Sequence, residues 1–330
     1  MDGAGDASII EQADWPVFGW SDDVRPALAA ALAAGRGAVL ATLYRVEGSA
    51  PRGPGAQMLF DGPRASGYFS GDCIEGDVAR HAAEVARDGS ARHLHYGAGS
   101  PWIDIRLRCG GALHVFVEPI AADSTAAAEL LRRAAERQPC VWTSDGLAQT
   151  IADGPSAPHL TFAESPFTIR RRFDPPRRII VTGGDPGALA LARLASEARF
   201  ETLLLRPGGP ASPPPFAGVE YLREEPVRYI ERAGIDRWTA YVGATHEDEH
   251  DLAGCLAALR GQAGYVAMIG AKSRADGRRG ALANAGASEA ELARLHFSPG
   301  IAGLGKAPWE VATGILAEVM QAMNPAAERA

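Results

Sequence analysis

The pattern that decides the fold lies in residues 177–206, RRIIVTGGDPGALALARLASEARFETLLLR. RRIIVTG is a short apolar strand, residues 187–199 are typical of a helix, and ETLLLR is a second strand. The alternation continues, with strands predicted at RWTAYVGAT (237–245) and GYVAMIG (264–270) and helices at 227–233, 249–260, 273–285 and Trp309–Met323. Short apolar strands that alternate with helices form a parallel sheet covered on both faces. We therefore predict a Rossmann-like, doubly wound parallel-sheet domain for the second half of the chain.

The first turn of this domain departs from a dinucleotide-binding fingerprint. In G-x-G-x-x-G/A, started at Gly183, Asp185 takes the place of the second glycine, where its carboxylate would repel a diphosphate. The acidic residue expected after the second strand is missing, and Arg206, which could favour a 2′-phosphate, stands there. We therefore favour a tight strand-to-helix turn with Pro186 near the helix start. An NAD(P)-dependent oxidoreductase that uses this domain stays as the alternative function.

The first half of the chain mixes strands and helices. Helices are predicted at 24–35, from Cys73 to Asp88 and at 124–137, strands from Gly37 and at 91–96, 102–107 and 112–118, and hairpin turns at Asp61-Gly62 and Asp145-Gly146. Residues 164–177 are polar and basic and contain three prolines, which is typical of a linker. We predict a mixed α/β domain at 1–163, a linker at 164–177 and the Rossmann-like domain at 178–330.

The composition limits the classes of function. The chain has 330 residues, with 33 basic and 40 acidic side chains and a formal net charge of −7. An acidic surface attracts neither nucleic acid nor an anionic membrane. The N-terminus lacks a signal-peptide pattern, and no run approaches the roughly 18 apolar residues that cross a bilayer. We expect a cytoplasmic protein with free thiols that binds no nucleic acid and no membrane.

One segment matches the sequence of a zinc-binding motif but not the helical context that the motif requires. His246-Glu247-Asp248-Glu249-His250 fits H-E-x-x-H, which works only where both histidines share one face of a helix. Here it directly follows a strand, so His246 is predicted in a loop or a helix cap and no zinc site is expected. Residues 243–250 nevertheless lie at the C-terminal end of a parallel strand, where open α/β sheets place their sites.

A glycine- and proline-rich loop at Gly48–Gly55 carries the first candidate for ligand binding. Its glycine N–H groups and the guanidinium groups of Arg45 and Arg52 would form a cradle for a phosphate or another anion. The same composition fits a solvated connecting loop. Both interpretations stay open on these residues alone.

Cys73 falls at the predicted start of a helix, where free N–H groups favour a thiolate. Asp72, Glu75 and Asp77 oppose this because they add negative charge nearby. A small buried cysteine is the alternative interpretation for Cys73.

A second thiol, Cys109, stands beside Arg108 and two glycines. Two thiols beside anion-binding loops suit an anionic, sulfur-rich ligand. Cys140 and Cys255 lie within apolar runs and are predicted to be packing residues.

Four stretches of the chain resemble the XdhC/CoxI family, accessory proteins of xanthine and carbon monoxide dehydrogenases. They are VEGSAPRGPGAQM, SGDCIEGDVARHA, GSPWIDIRLRCGGALHVFVEP and GKAPWEVATGILAEVM. The resemblance implies a smaller N-terminal domain followed by a Rossmann-like domain. It also implies a cytoplasmic, often dimeric factor that binds molybdenum cofactor, protects its sulfurated form and inserts it into an apo-hydroxylase. Family members often work with a cysteine desulfurase.

The resemblance implies site residues as well. Cys73 and Cys109 fall on characteristic cysteines of the family, and Cys73 is the expected ligand of the molybdenum in the bound cofactor. The matching neighbours in the first domain are Arg52, Gln57, Gly71, Glu75 and Gly110, and the matching positions in the second are Thr245, His246, Lys272 and Arg274. Lys272 and Arg274 could meet a phosphate or a cytidine nucleotide appended to the pterin. The usual Gly-Ala-Gly-His of the family is replaced here by Gly183-Gly184-Asp185-Pro186.

The expected function is therefore that of a molybdenum cofactor chaperone, with no catalytic residue, rather than of a turnover enzyme. The expected cargo is molybdopterin or its cytidine dinucleotide form. The expected partners are the large subunit of an apo molybdenum hydroxylase, a cysteine desulfurase and a second copy of the chain. A scaffold that only bridges desulfurase and hydroxylase is a further alternative. Both alternatives would leave the molybdenum cofactor unbound.

Overall fold

The computed structural model describes residues 16–71, 74–97, 100, 107, 110–154 and 156–324. The chain forms two compact units, Met1–Pro175 and Pro176–Ala330. Within the described ranges, no helix has both the length and the apolar character that a membrane span requires.

The first unit is built on an antiparallel sheet of five strands. They are β1 (Ala38–Glu47), β2 (Gln57–Asp61), β3 (Arg64–Gly67), β4 (Arg92–Gly97) and β5 (Ala112–Ile120), in the order β3-β2-β1-β5-β4. The predicted turn at Asp61-Gly62 joins β2 to β3, and Asp61 pairs with Arg64. The predicted strand at 102–107 lies outside the described residues, apart from Leu107, which is not in a strand.

Helices cover both faces of this sheet. α1 (Arg25–Ala33) and α3 (Thr125–Ala135) pack on one face, where Leu28, Leu40 and Leu130 belong to one core. α2 (Glu75–Asp88) packs on the other face, and it begins at Glu75 rather than at Cys73. The residues predicted for its apolar side are all buried, namely Ile74, Val78, Ala82 and Val85. Burial of a valine or isoleucine side chain contributes roughly 1.5–3 kcal/mol, so this face fixes the helix on the sheet.

A second antiparallel sheet completes the first unit. Its strands are β6 (Cys140–Ser144), β7 (Gln149–Asp153), β8 (Leu160–Glu164) and β9 (Phe167–Phe173), in the order β7-β6-β9-β8. β9 lies inside the predicted linker at 164–177, so that prediction is wrong over the length of the strand. Ile169 and Phe173 of β9 are buried, whereas Arg171 and Arg172 donate to the carbonyls of Gly55 and Ala157. The arginines give this segment the composition of a linker, although its alternating apolar residues form a strand.

The second unit is a parallel sheet with helices on both faces, which confirms the predicted fold class. The strands are β10 (Arg178–Thr182), β11 (Glu201–Leu205), β12 (Val219–Leu222), β13 (Thr239–Gly243), β14 (Tyr265–Met268) and β15 (Leu295–Phe297). The helices are α4 (Pro186–Glu197), α5 (Pro226–Ala233), α6 (Asp248–Arg260), α7 (Ala275–Asn284), α8 (Glu289–Ala293) and α9 (Pro308–Met323). α4 and α9 share one core, and α5, α6 and α7 share the core on the opposite face.

The strand order places a site-forming position at the centre of this sheet. The order is β12-β11-β10-β13-β14-β15, and every pair is parallel. β11 and β12 extend the sheet on one side of β10, and the chain then crosses back to add β13, β14 and β15 on the other side. In open α/β sheets, ligands bind outside the carboxyl ends of the strands at such a topological switch point.

Candidate functional site

The three segments that carry the family-like motifs meet at one edge of the five-stranded sheet. Glu47 at the end of β1 pairs with Ala112, and Gly97 at the end of β4 pairs with the same residue. On the other side of β1, Met58 near the start of β2 pairs with Gly67 at the end of β3. Residues 48–56, 68–74 and 98–111 therefore all begin or end at this edge, although they are far apart in the sequence.

Two glycines allow these segments to pack backbone against backbone. A Cβ on Gly111 would lie 2.3 Å from the carbonyl oxygen of Ser49 and 2.8 Å from that of Glu47. A Cβ on Gly97, which has φ +96°, would lie 2.2 Å from the carbonyl oxygen of Gly111. Only glycine permits such close approach of one backbone to another. The loop after β1 is thereby held directly against the residues that precede β5.

The two arginines of the predicted anion cradle carry ion pairs at the surface. Arg52 lies 2.7 Å from Asp22 and its guanidinium carbon is 5.0 Å from the ring centre of Tyr68. Arg45 lies 2.8 Å from Glu47 and 3.1 Å from Glu164. The three carboxylate side chains are between 50% and 69% exposed, and exposed pairs of this kind contribute about 0–1 kcal/mol. An anionic ligand can therefore replace these carboxylates at little cost.

Glu75 organises the loop that leads into α2. Its carboxylate is buried and accepts hydrogen bonds from the N–H groups of Phe69, Ser70, Gly71 and Ile74 and from the hydroxyl of Ser70. Burial opposes the charged form, but the hydrogen bonds from Ser70 and Phe69 outweigh it, and the pKa of Glu75 lies below its usual value. The predicted binding residue Glu75 thus fixes the backbone of residues 69–71 and of Ile74, which flank Cys73 in the sequence.

The carboxylate of Asp77, two residues further into α2, is also bound by its neighbours. Its carboxylate oxygens lie 2.6 Å from a guanidinium nitrogen of Arg80 and accept a hydrogen bond of 2.7 Å from the Tyr96 hydroxyl. Burial and the contact with Asp77 raise the pKa of Tyr96 above its usual value. Two of the three acidic residues that oppose a Cys73 thiolate therefore have their charge compensated.

The remaining predicted residues of the first unit fall into three groups. Cys73 and Cys109 lie outside the described residues. Gln57 is buried in β2, and its amide donates to the Thr42 hydroxyl over 3.0 Å. Its polar group therefore bonds within the sheet. Gly71 and Gly110 have φ near +76° and +73°, are exposed, and have open space where a side chain would begin.

In the second unit, a buried carboxylate fixes the loop after β13. Asp251 of α6 is fully buried and accepts hydrogen bonds from the N–H and the hydroxyl of Thr245 and from the N–H of His246. His246 has φ +63°, a left-handed conformation that costs roughly 1–3 kcal/mol in a residue with a side chain. Its imidazole Nε2 lies 3.0 Å from Oδ2 of Asp185. Strain of this kind persists where surrounding contacts hold it, and it is typical of functional sites.

We expect Asp251→Asn to lower the free energy of unfolding by about 2 kcal/mol, because an amide nitrogen would face an N–H donor in a buried site. Urea denaturation followed by circular dichroism measures this change. Asp276→Asn, at an exposed position of α7, is the matched control, with an expected change within about 0.5 kcal/mol. Equal stability of the two variants would contradict the anchoring role of Asp251.

The other predicted residues of the second unit lie at the same edge of its sheet. Arg274 forms an ion pair with Asp248, which also contacts Arg278. Lys272 is exposed after β14 and forms no ion pair within the described part of the chain. His246 lies before α6, as predicted, and the residues the structure covers contain no cluster of His, Cys, Asp or Glu that could hold a metal ion.

Three features of these sites were not predicted from the sequence, namely Asp22, Asp251 and the contact between Asp185 and His246. Asp251 could have been identified from the sequence, because it is an acidic residue within the otherwise apolar face of α6, DLAGCLAAL. No sequence feature identifies Asp22, because its partner Arg52 comes from a different loop.

The fold and these loops define a two-unit protein with a mixed first unit and a Rossmann-like second unit. Residues 179–319 match the XdhC Rossmann domain, and residues 31–97 match the XdhC and CoxI family. The chain is 30% identical over 293 residues to the molybdenum cofactor insertion chaperone PaoD of Escherichia coli (strain K12), which covers 88% of this chain and 84% of PaoD. The chain belongs to the XdhC/CoxI family, as its motifs predicted.

Two further comparisons agree with this assignment. The chain is 26% identical over 319 residues to a probable xanthine dehydrogenase subunit of Bacillus subtilis (strain 168), covering 86% of this chain and 92% of that protein. The crystal structure of a xanthine dehydrogenase from Bacillus halodurans has a TM-score of 0.69 at 21% identity, over 91% of this chain and 95% of that one. The second comparison shows that the fold is shared.

Proposed function

We propose that this protein binds molybdenum cofactor and delivers it to an apo molybdenum hydroxylase. The observation that carries the proposal is the meeting of three motif-bearing segments at one edge of the first sheet, where Gly111 packs against the loop after β1. The similarity to a protein named as a molybdenum cofactor insertion chaperone supports the same function.

The residues at this edge suit an anionic, sulfur-rich cargo. Arg45 and Arg52 offer guanidinium groups, and the exposed glycines Gly71 and Gly110 leave room for a ligand beside the backbone. Cys73 and Cys109 are soft ligands, which suit the metal-dithiolene end of the cofactor. In this proposal Cys73 binds the molybdenum, and the arginines bind the phosphate of the pterin.

The electrostatics suit a carrier that must release its cargo. Asp22, Glu47 and Glu164 return to Arg52 and Arg45 when the anion leaves, so neither arginine remains unpaired. A chaperone must bind the cofactor less tightly than the recipient enzyme does. Because one weak surface ion pair replaces another, the free energies of the loaded and the empty chaperone differ little. Delivery then follows from the higher affinity of the apo-hydroxylase.

The proposal extends to the second unit and to the partners. Thr245, His246, Lys272 and Arg274 are proposed to contact the cofactor, whether as molybdopterin or its cytidine form. A cysteine desulfurase, the large subunit of the apo-hydroxylase and a second copy of the chain are the proposed partners, in the cytoplasm. Protection of a sulfurated cofactor is part of this role.

Activation of a purified apo molybdenum hydroxylase tests the proposal. Protein isolated from cofactor-replete cells is expected to restore hydroxylase activity in proportion to its molybdenum content, whereas protein from cofactor-deficient cells is not. A bridging scaffold predicts capture of both partners without activation by the purified protein. Micromolar binding of NADH or NADPH, with no activation, would favour the oxidoreductase instead.

A further inference from the structure

Three large apolar side chains are exposed around the start of α9 in the second unit. Ile301, Leu304 and Trp309 are 56%, 41% and 49% exposed, and we call them the 301–309 patch. All residues from 301 to 310 are exposed, so no other part of the described chain covers the patch. Single exposed apolar residues are normal on a protein surface, whereas a group of them typically marks an interaction site.

The loop that carries Ile301 and Leu304 packs directly on α9. A Cβ on Gly314 would lie 2.9 Å from the backbone nitrogen of Ile301 and 3.5 Å from Cδ2 of Leu304, so the glycine makes room for the loop. Trp309 comes five residues before Gly314, about 7.5 Å along the helix axis. All three apolar side chains therefore lie beside the first half of this helix.

Two carboxylates of α9 fix the ends of this loop. Glu318 accepts a hydrogen bond of 2.6 Å from the N–H of Gly300, and Glu310 accepts one of 2.8 Å from the N–H of Ala307. A loop that is fixed at both ends keeps its apolar side chains in solvent. It also loses little conformational freedom when a partner binds, which favours binding.

The charge beside the patch is positive, although the whole chain has a net charge of −7. Lys306 lies in the same loop, and Cζ of Arg193 on α4 lies 5.9 Å from the ring centre of Trp309. Both cations are exposed, and neither forms an ion pair with the residues that the structure describes. The only carboxylate between 301 and 310 is that of Glu310, which already accepts from the backbone. A partner with acidic residues around an apolar surface would complement this patch.

Size and charge argue against a second copy of the chain as the partner. Three partly exposed side chains present roughly a few hundred Å², less than the roughly 800 Å² per partner of a stable interface. A two-fold axis would also bring the same cations of both copies into one interface, where they repel each other. The acidic chain as a whole is repelled by an anionic membrane. A small apolar centre with a charged rim is typical of a transient contact between different proteins.

We propose that the 301–309 patch docks the recipient of the cofactor, the large subunit of the apo-hydroxylase, through an apolar surface with an acidic rim. This inference rests on the proposed function, because only delivery requires a recipient. Delivery needs a contact that forms and breaks in every cycle, which a small interface provides. Lys306 and Arg193 steer the encounter, and the apolar side chains hold the complex.

Biolayer interferometry of the full chain against the purified large subunit of an apo molybdenum hydroxylase tests the patch. Leu304→Ser and Trp309→Ser are each expected to weaken binding at least about tenfold, a change of about 1.4 kcal/mol. Lys306→Glu should weaken it at least about threefold at low ionic strength and less at high salt. Leu147→Ser, at a hairpin position of the first unit that is 97% exposed, is the matched control and should change affinity less than about twofold.

The molybdenum content of the same samples, prepared from cofactor-replete cells, separates docking from cargo binding. We expect Leu304→Ser and Trp309→Ser to carry as much molybdenum as the wild type, because the patch holds no cofactor. A wild type that docks through the patch but contains no molybdenum would count against the proposed function and in favour of the patch. Thermal unfolding verifies that each variant is folded, and the exposed Lys306→Glu tests the surface without altering its packing.

Wild-type affinity in Leu304→Ser and Trp309→Ser, or an equal loss in Leu147→Ser, would overturn the docking surface. Three other results would assign the patch to a different occupant and overturn the proposal as well. They are loss of self-association in Trp309→Ser by light scattering, loss of binding to phosphatidylserine vesicles, and loss of binding to a cysteine desulfurase while hydroxylase binding persists.

Discussion

Replacing Cys73 by alanine is expected to lower the molybdenum and pterin that co-purify with the protein at least about tenfold, a change of about 1.4 kcal/mol or more in binding. The reason is the loss of a soft sulfur ligand at the loop that Glu75 organises. The charges of Glu75 and Asp77 are compensated by hydrogen bonds and by Arg80, so they oppose a thiolate less than their number suggests. Metal analysis and pterin fluorescence measure the loading.

Cys140→Ala is the matched control for this prediction. Cys140 is buried in β6, and burial raises the pKa of its thiol, so it takes no part in ligand binding. This variant should keep its cofactor as long as circular dichroism shows it folded. Loading of Cys73→Ala equal to that of Cys140→Ala would remove Cys73 from the site. Cys109→Ala, measured alongside, reports whether the second thiol contributes.

Replacing Glu75 by alanine is expected to lower the free energy of unfolding by roughly 3 kcal/mol or more, because several buried donors lose their acceptor. The backbone of residues 69–71 and of Ile74 would lose its hydrogen-bond acceptor at the same time, so cofactor loading should fall with stability. Urea denaturation at pH 7 measures the first effect. Glu136→Ala, in an exposed ion pair at the end of α3, is the control and should change stability by less than about 1 kcal/mol.

The pH dependence of Glu75 follows from its lowered pKa. The folded protein binds the proton less readily than the unfolded chain, whose carboxyl has the usual value of 4.5. The stabilisation is therefore fully present above that pH and is lost as the pH falls through the lower folded value. The difference in free energy of unfolding between the wild type and Glu75→Gln should be largest at neutral pH and should disappear in acid. A gap that grows on acidification would contradict the hydrogen-bonded, ionised state of Glu75.

The sequence predicted the architecture best where the pattern repeats. Alternating apolar strands and helices identified the parallel sheet, and turn residues placed the hairpin at Asp61-Gly62 correctly. The edge strands β12 and β15 have only four and three residues, too short to show a periodicity, and they were not predicted. β9 was missed because its arginines are typical of a linker in composition, although Ile169 and Phe173 have the spacing of buried strand residues.

The sequence identified candidate residues of the site but not the contacts between them. Glycines 48, 97 and 111 are visible in the sequence, yet only the strand register brings them to one edge. The partner of each charge is also set by tertiary structure. Glu75 was interpreted as a charge near Cys73 and, from the family resemblance, as a cofactor-binding residue. The structure adds that the N–H groups of residues 69–71 and of Ile74 donate to its carboxylate.

The central claim is that this chain carries molybdenum cofactor. The most direct measurement is mass spectrometry of the small molecule released from protein purified out of cofactor-replete cells, together with its molybdenum content. The account predicts a pterin with a dithiolene group and a terminal or nucleotide-linked phosphate, accompanied by molybdenum in a fixed ratio to the pterin. Protein that is fully folded and active in partner capture, yet free of pterin and molybdenum, would contradict it.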